Sequence, residues 1–407
     1  MPPNNEFSSI MFDLPDIEIN VNMCCGTSDN RDASSSSRDD NKDSNSITAK
    51  VAQQSQITDS PVSIANADLL DIHYATVGDT SAVPLPPHHP ASHAHSYSEG
   101  KVSVTRSARK RRIKRGCLAS GGSEEYKSYE ISYRIYRPEL LRSTSELPLL
   151  VLHGGPSLPS SYLYPLIDQV RDRSIIFYDQ LGCGQSDGPK DLNLYSISNS
   201  VDDLEALIKA LDIPRFHLYG HSFGGVVAYE YVKRIAELPQ YEQNSSNENN
   251  KGHVCQSIII SNSSTSVAMS NEESDCILQE LEEGLATQDA SIVNDAFWKR
   301  SQCRLEQTPT VLQEAIDNTG VEWFHSPHLL DYVAKSTSRW ARELPPALII
   351  GGTHDFVTKP CTEGWRQLFK HNKITEVDID GSHYLHIEKP QEYGELLSTY
   401  LLRQEQE

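Results

Sequence analysis

FHLYGHSFGGVVAYEYVKRIA, residues 216–236, decides the fold. Its opening FHLY is a short apolar run of the kind that fills a buried strand. Its closing VVAYEYVKRIA repeats apolar residues at helical spacing. Between them stand Gly220, His221, Ser222, Phe223, Gly224 and Gly225. A strand that passes straight into a helix must turn sharply, and small residues beside the turning residue allow it. Such a turn lifts the Ser222 hydroxyl above the end of a sheet, next to a helix N-terminus. A bare G-x-S-x-G says little, because Gly and Ser are common in turns, but the strand before it and the helix after it give it meaning. The segment reads as a nucleophile elbow.

Outward from the elbow the same texture recurs. From Tyr126 the chain reads as folded: YEISYRIYRPE alternates like a strand, and LPLLVLHGG (147–155) is an apolar run closed by glycines. Further buried-strand candidates are RSIIFYD (173–179), VCQSIIIS (254–261), ALIIGG (347–352) and ITEVDID (374–380). Helical patterns separate most of them. VDDLEALIKAL (201–211) puts Val201, Leu204, Leu207, Ile208 and Leu211 on one face. Strand and helix in alternation predict an α/β fold with a mostly parallel sheet and helices on both faces. Residues 265–340 break the alternation with a helical block containing Trp and Glu, expected to be a cap inserted over the C-terminal edge of the sheet. The core is therefore expected over 126–264 and again over 341–407.

The remaining sequence differs in kind. The chain has 407 residues, of which only 37% are hydrophobic, so a long polar segment is expected beside a core of ordinary composition. Residues 1–68, rich in Ser, Asp and Asn, fit a disordered tail, because they bury too little apolar surface to offset the entropy of ordering. Residues 69–125 read as a linker. PLPPHHPASHAHSY (84–97) has the Pro content of a polyproline-like spacer, and its four His lack a carboxylate or Cys to complete a metal site. RSARKRRIKRG (106–116) is a dense basic run suited to nuclear import, an anionic surface or a protease, or simply to a solvated loop.

Lys plus Arg total 36 against 56 Asp plus Glu, a net charge of −20, which repels phosphate backbones. Nucleic acid is not an expected partner. No run approaches the roughly 20 apolar residues of a membrane helix, and no basic start with an apolar stretch opens the chain. No membrane partner is expected, and a cytoplasmic location is, with the nucleus open through the basic run 106–115. Eight scattered Cys suit reduced thiols better than disulfides or zinc. The sequons at Asn244 and Asn262 matter only in a secreted protein.

A serine hydroxyl is a poor nucleophile at neutral pH, so Ser222 needs a histidine base and a carboxylate, in the order Ser, Asp, His along the chain. Asp355 follows ALIIGG and His383 follows ITEVDID, each just beyond a strand. His386 competes for the base role, and Asp378 and Asp380 compete weakly with Asp355. His221 and His354 read as supporting residues. Two backbone N–H groups must also hold an oxyanion. His153-Gly154-Gly155-Pro156, after the strand LPLLVL, supplies a suitable loop, and the N–H groups of Gly155 and Phe223 are the expected donors. Asp179 and Gln180 are expected to fix that loop, and Cys183 beside them is expected to be a small buried residue.

HGGP, FYDQLGCGQSD (177–187), GHSFGG, GTHDFVT and DGSHYLHIEKP together resemble the prolyl aminopeptidases, or proline iminopeptidases, of the α/β-hydrolase fold. The likeness spans about 126–404, and HGGP with YDQ-x-G-x-G-x-S is its discriminating part. It implies a triad of Ser222, Asp355 and His383, and acidic cap residues that grip a free α-amine. Asp295 and Glu322, with their neighbours Trp298 and Trp323, are the expected amine and substrate-binding residues. Ser157 departs from the family, which has Gly there. The implied activity is removal of an N-terminal residue, often Pro, from small peptides or amino-acid amides, through an acyl-enzyme and with no metal or organic cofactor. A carboxylesterase or lactonase of the same fold is the nearest alternative. A catalytically silent binding protein is the alternative from another class.

Overall fold

The computed structural model describes residues 96–109, 124–238, 253–370 and 373–406. The tail over 1–68, the His- and Pro-rich stretch up to 95, and residues 110–116 of the basic run lie outside the described residues.

Eight strands form one sheet: β1 Tyr97–Arg109, β2 Glu124–Tyr136, β3 Leu149–Leu152, β4 Ile175–Tyr178, β5 Arg215–His221, β6 Val254–Ser261, β7 Ala347–Gly352 and β8 Ile374–Ile379. Their order is β1-β2-β4-β3-β5-β6-β7-β8. β2 runs antiparallel to both β1 and β4, and from β4 to β8 every pairing is parallel. β3 and β4 are buried along their whole length, as a sheet covered on both faces requires.

The covering comes from two sides. Helices α1 Ile197–Ala210 and α2 Phe223–Glu237 pack with α6 Lys359–Leu368 against one face; helix α7 Pro390–Gln406 and the turn Leu166–Gln169 pack on the other. Helix α1 starts where the Ser196 side chain accepts the N–H of Asn199, and it buries Val201, Leu204, Leu207 and Ile208. Between β6 and β7 the chain leaves the sheet to form α3 Val267–Leu285, α4 Ala290–Phe297, a π-helical turn over Trp298–Gln302 and α5 Thr310–Asp317.

One boundary differs from the sequence reading. Residues 97–109, read as linker, are strand β1, paired along its length with β2. Val102, Val104 and Arg106 alternate inward, but only two of these are apolar, so the period of two was masked by the basic run. Arg106 is buried, and its guanidinium bonds to buried Asp203 of α1 at 2.5 Å. That residue is a strand anchor, not part of a solvated basic loop.

β4 lies on one side of β3 and β5 on the other, so the chain reverses its direction of travel across the sheet at β3. In open parallel sheets the crevice beyond the C-terminal strand ends at such a switch point is where ligands bind. Here the residues at that point are the His153–Pro156 loop after β3 and the elbow after β5. Among the described residues, no helix is long and apolar enough to cross a membrane, and no group of three or more His, Cys, Asp or Glu is placed to hold a metal.

Candidate active site

Ser222 stands between β5 and α2 with φ 53° and ψ −124°, a left-handed backbone that non-glycine residues adopt at a cost of about 1–3 kcal/mol. The close approach explains the neighbouring glycines. A Cβ at Gly220 would sit 2.3 Å from the Gly224 carbonyl oxygen, and one at Gly224 would sit 2.2 Å from that of Leu152. The turn is held from outside by the Ser222 N–H, which donates to the Ser261 carbonyl at 2.8 Å.

Asp355 and His383 arrive on the loops after β7 and β8. His383 Nδ1 lies 3.0 Å from Asp355 Oδ1 and 3.2 Å from Oδ2. Asp355 is fully engaged: its Oδ1 accepts the Val357 N–H at 3.0 Å and its Oδ2 accepts from Asn262 Nδ2 at 2.7 Å. Asn262, noted from sequence only as a sequon, is buried with φ 51° and also donates to the Ser382 carbonyl. It therefore ties Asp355 to the loop that carries His383.

The rivals stand elsewhere. His386 is buried and its Nε2 bonds the Tyr162 carbonyl at 3.1 Å, away from either carboxylate candidate. Burial pushes its pKa down to about 3. Asp378 pairs with Lys359, while Asp380 pairs with His354 and Arg304 on the exposed rim. His221 is buried beside the elbow, and burial, with His383 and His386 nearby, holds its pKa well below the ordinary imidazole value.

Gly155 has φ +116°, and a Cβ there would collide with the backbone nitrogens of Ser157 and Leu158 at 2.2 and 2.5 Å. Only glycine fits this turn. The Phe223 N–H occupies the first position of α2, where no intrahelical acceptor exists. Behind the loop, His153 Nε2 accepts the Gln180 N–H at 2.9 Å, so its Nδ1 carries the hydrogen and donates to the Gly154 carbonyl at 3.0 Å. Since the Gly154 carbonyl and the Gly155 N–H share one planar peptide, His153 sets the aim of that N–H. Asp179 accepts N–H groups of Ser160 and Gln185. Cys183 is buried against the Pro156 carbonyl, and burial pushes its thiol pKa far up, so it is no nucleophile.

A cavity of about 240 Å³ opens over Ser222, bordered by Gly155 and His383 below and by Asp295, Trp298 and Gln302 of the cap. The π-helical turn does two jobs here. It presents Trp298 and Gln302 to the cavity, and its Gln302 carbonyl accepts both the His383 N–H at 3.1 Å and the Ser382 hydroxyl at 2.9 Å. Phe356 packs on the His383 ring with centroids 4.5 Å apart. Two expected cap residues are not on the cavity wall. Glu322 pairs with Lys190, and buried Trp323 donates from Nε1 to the Leu181 carbonyl and packs on Phe223. Both stand in a 3-10 turn over Glu322–His325 that is buried at these two positions, where the sequence reading has a helical cap. Asn262 and Gln302 escape a sequence reading because their partners lie 80 or more residues away, whereas Phe356, next to Asp355, and Tyr162, eight residues from Gly154, stand close to residues already singled out.

The sequence profile described as the alpha/beta hydrolase family matches residues 149–396. The chain is similar to the proline iminopeptidase of Lactobacillus helveticus, 28% identical over 308 residues that span 69% of this chain and 97% of that protein. It is 27% identical over 276 residues to the proline iminopeptidase of Heyndrickxia coagulans, 62% of this chain and 90% of that one. Among solved structures, the proline iminopeptidase of Mycobacterium smegmatis superposes with a TM-score of 0.54 at 23% identity, covering 68% of this chain and 96% of that chain.

Proposed function

Because the chain belongs to the alpha/beta hydrolase family, we propose that it is a serine hydrolase that releases the N-terminal residue of small peptides or amino-acid amides. The observation that supports this reading is that Ser222 and His383 line one cavity while Asp355 is hydrogen-bonded to His383 Nδ1. Ser222 Oγ attacks the substrate carbonyl carbon while His383 Nε2 takes the hydroxyl proton. Asp355 holds the imidazole with its hydrogen on Nδ1 and offsets the imidazolium charge. The Gly155 and Phe223 N–H groups receive the oxyanion, each such donor contributing roughly 3–4 kcal/mol to the transition state. The C–N bond breaks as His383 returns the proton to the leaving amine. Water then enters, gives a proton to His383 and a hydroxyl to the acyl carbon, and frees Ser222.

The amine-binding role falls to Asp295, a carboxylate on the cavity wall. Its partner Lys299 is a neighbour one helical turn away, and both side chains are more than half exposed. Pairs of this kind contribute only about 0.3–0.5 kcal/mol, so a substrate ammonium can displace the lysine. The likeness to relatives named proline iminopeptidase supports proline as the residue released. An ester or lactone substrate is the second reading, favoured by the uncharged hydrogen-bonding wall of Asn294, Gln302, Thr308 and Gln313.

The test is turnover of Pro-, Ala- and Leu-arylamides, N-acetyl-Pro-arylamide and a short acyl ester by wild type and Ser222→Ala. Free-amine substrates only, led by Pro and lost in the variant, support the aminopeptidase. Ester turnover alone keeps the serine chemistry and removes the peptidase. A Ser222→Ala variant within about tenfold of wild type would overturn the serine reading altogether, since a triad nucleophile contributes orders of magnitude more. For location we propose the cytoplasm, to be checked by imaging a tagged chain with and without residues 110–115, a deletion that leaves Arg106 in β1.

A further inference from the structure

Three parts of the site converge on a single side chain. His221 directly precedes the nucleophile candidate in the chain. Its Nε2 lies 2.9 Å from the carbonyl oxygen of His383, and its Nδ1 lies 2.9 Å from the hydroxyl of Tyr162. The same hydroxyl accepts the N–H of Gly154 at 2.7 Å. Gly154 is followed by Gly155, the oxyanion-donor candidate.

The hydrogens in this chain can run only one way. A carbonyl oxygen accepts and never donates, so His221 Nε2 must carry a hydrogen toward His383. Burial keeps the ring neutral, so Nδ1 is bare and accepts from the Tyr162 hydroxyl. The Tyr162 oxygen, its hydrogen given away, accepts from Gly154. Every donor has one acceptor, and Tyr162, His221 and His383 are all buried.

Resting on the serine hydrolase reading, we infer that Tyr162 and His221 form a positioning relay that fixes the distance between the oxyanion loop and the base. Neither residue reacts. The relay makes the His153–Pro156 loop and the loop after β8, which are far apart in sequence, share one rigid set of hydrogen bonds. Packing alone does not call for it. A Phe at 162 and a Leu at 221 would fill much of the same space, but they would strand the Gly154 N–H and the His383 carbonyl that the polar pair now satisfies. The polar chain is useful where relative placement matters, because a shift of about 1 Å between reacting groups costs on the order of 100-fold in rate.

Inactivation of the full chain by an alkyl fluorophosphonate reads the relay without a known substrate, because it needs the nucleophile, the base and the oxyanion hole together. Tyr162→Phe removes one oxygen and keeps the ring. The expected result is a limiting inactivation rate lower by about 10–100-fold, with the half-saturating probe concentration held within about threefold. His221→Gln, which still offers an N–H toward the His383 carbonyl, is expected to keep about tenfold more of that rate than His221→Leu. A Tyr162→Phe rate within about threefold of wild type, a loss confined to the half-saturating concentration, or His221→Gln no better than His221→Leu would each overturn the relay. Unchanged labelling of Ser222→Ala would instead remove the serine reading beneath it, so the two failures are separable.

Discussion

Asp355→Asn changes one oxygen to an amide nitrogen, and the surroundings leave that nitrogen nowhere to go. In one orientation the new amide keeps its oxygen at the Oδ1 position, facing the Val357 N–H and His383 Nδ1. Its NH2 then meets the NH2 of Asn262 where the carboxylate now accepts at 2.7 Å. Asn262 cannot turn over to relieve this. Its oxygen already accepts the Ser261 hydroxyl at 2.6 Å, and its nitrogen also donates to the Ser382 carbonyl at 3.1 Å. In the other orientation the NH2 faces the Val357 N–H and His383, which forces the imidazole hydrogen onto Nε2 and removes the base. Either way a buried donor is stranded, at about 1–3 kcal/mol of stability. The second orientation leaves a wrong tautomer, for which a loss of about 10⁴ in kcat is expected, equivalent to about 5.5 kcal/mol of activation free energy. The assay is turnover of whichever arylamide or ester wild type accepts, with fluorophosphonate labelling beside it and chemical denaturation to confirm a folded variant. A folded Asp355→Asn enzyme within about tenfold of wild type would refute the reasoning, and with it the assignment of Asp355 as the orienting acid.

Asp203→Ala should lower stability by about 3–5 kcal/mol, because it leaves the Arg106 guanidinium buried without its carboxylate; urea denaturation in which Arg106→Met with Asp203→Leu fares no better than Asp203→Ala would contradict this. His386 is held neutral, with a folded pKa of about 3 below the unfolded value of about 6.5. Its contribution to stability is therefore complete above about pH 6.5 and lost as pH falls toward 3, roughly 2 kcal/mol between pH 6.5 and 4.5. His386→Gln should flatten that part of the stability profile, and an unchanged slope would count against it. Asp295→Asn should raise KM for free-amine arylamides by about 10–100-fold through loss of a charge-assisted hydrogen bond. KM for an N-acetylated substrate should not move, and an equal effect on both would remove Asp295 from the amine site.

The parts of this molecule legible in its sequence are those whose signal is local. The elbow declares itself because strand, tight turn and helix follow one another within residues 216–236. Asp355 and His383 are placed just after strands recognisable in sequence, β7 by its apolar run and β8 by alternation. Strand β1 was not readable, because its inward third position is Arg106, whose partner Asp203 is 97 residues away. A basic side chain that is buried only by virtue of a distant acid looks, in sequence, like any exposed one. The cap residues fail for a related reason: Glu322 and Asp295 are both carboxylates with a Trp nearby in sequence, and only the packing of Trp323 on Phe223 separates the structural pair from the one on the cavity wall.

The histidines show what that missing information amounts to. His221, His383 and His386 lie together, with His221 4.9 Å from His383 and 5.3 Å from His386 between ring centroids. Sequence distinguishes them only by position. Their partners distinguish them by chemistry. His221 and His386 each give their one hydrogen to a backbone carbonyl, so both are held neutral, and a second positive charge in this cluster would face strong repulsion. His383 alone has a carboxylate on Nδ1, which leaves Nε2 available toward the cavity. Two imidazoles are thereby uncharged scaffolding, and on the proposed mechanism a proton taken from Ser222 resides on the third. Replacing Asp355 should therefore not transfer the base role to His386, even though it is only three residues away, because its Nε2 is committed to the Tyr162 carbonyl and no ion pair holds it among the described residues.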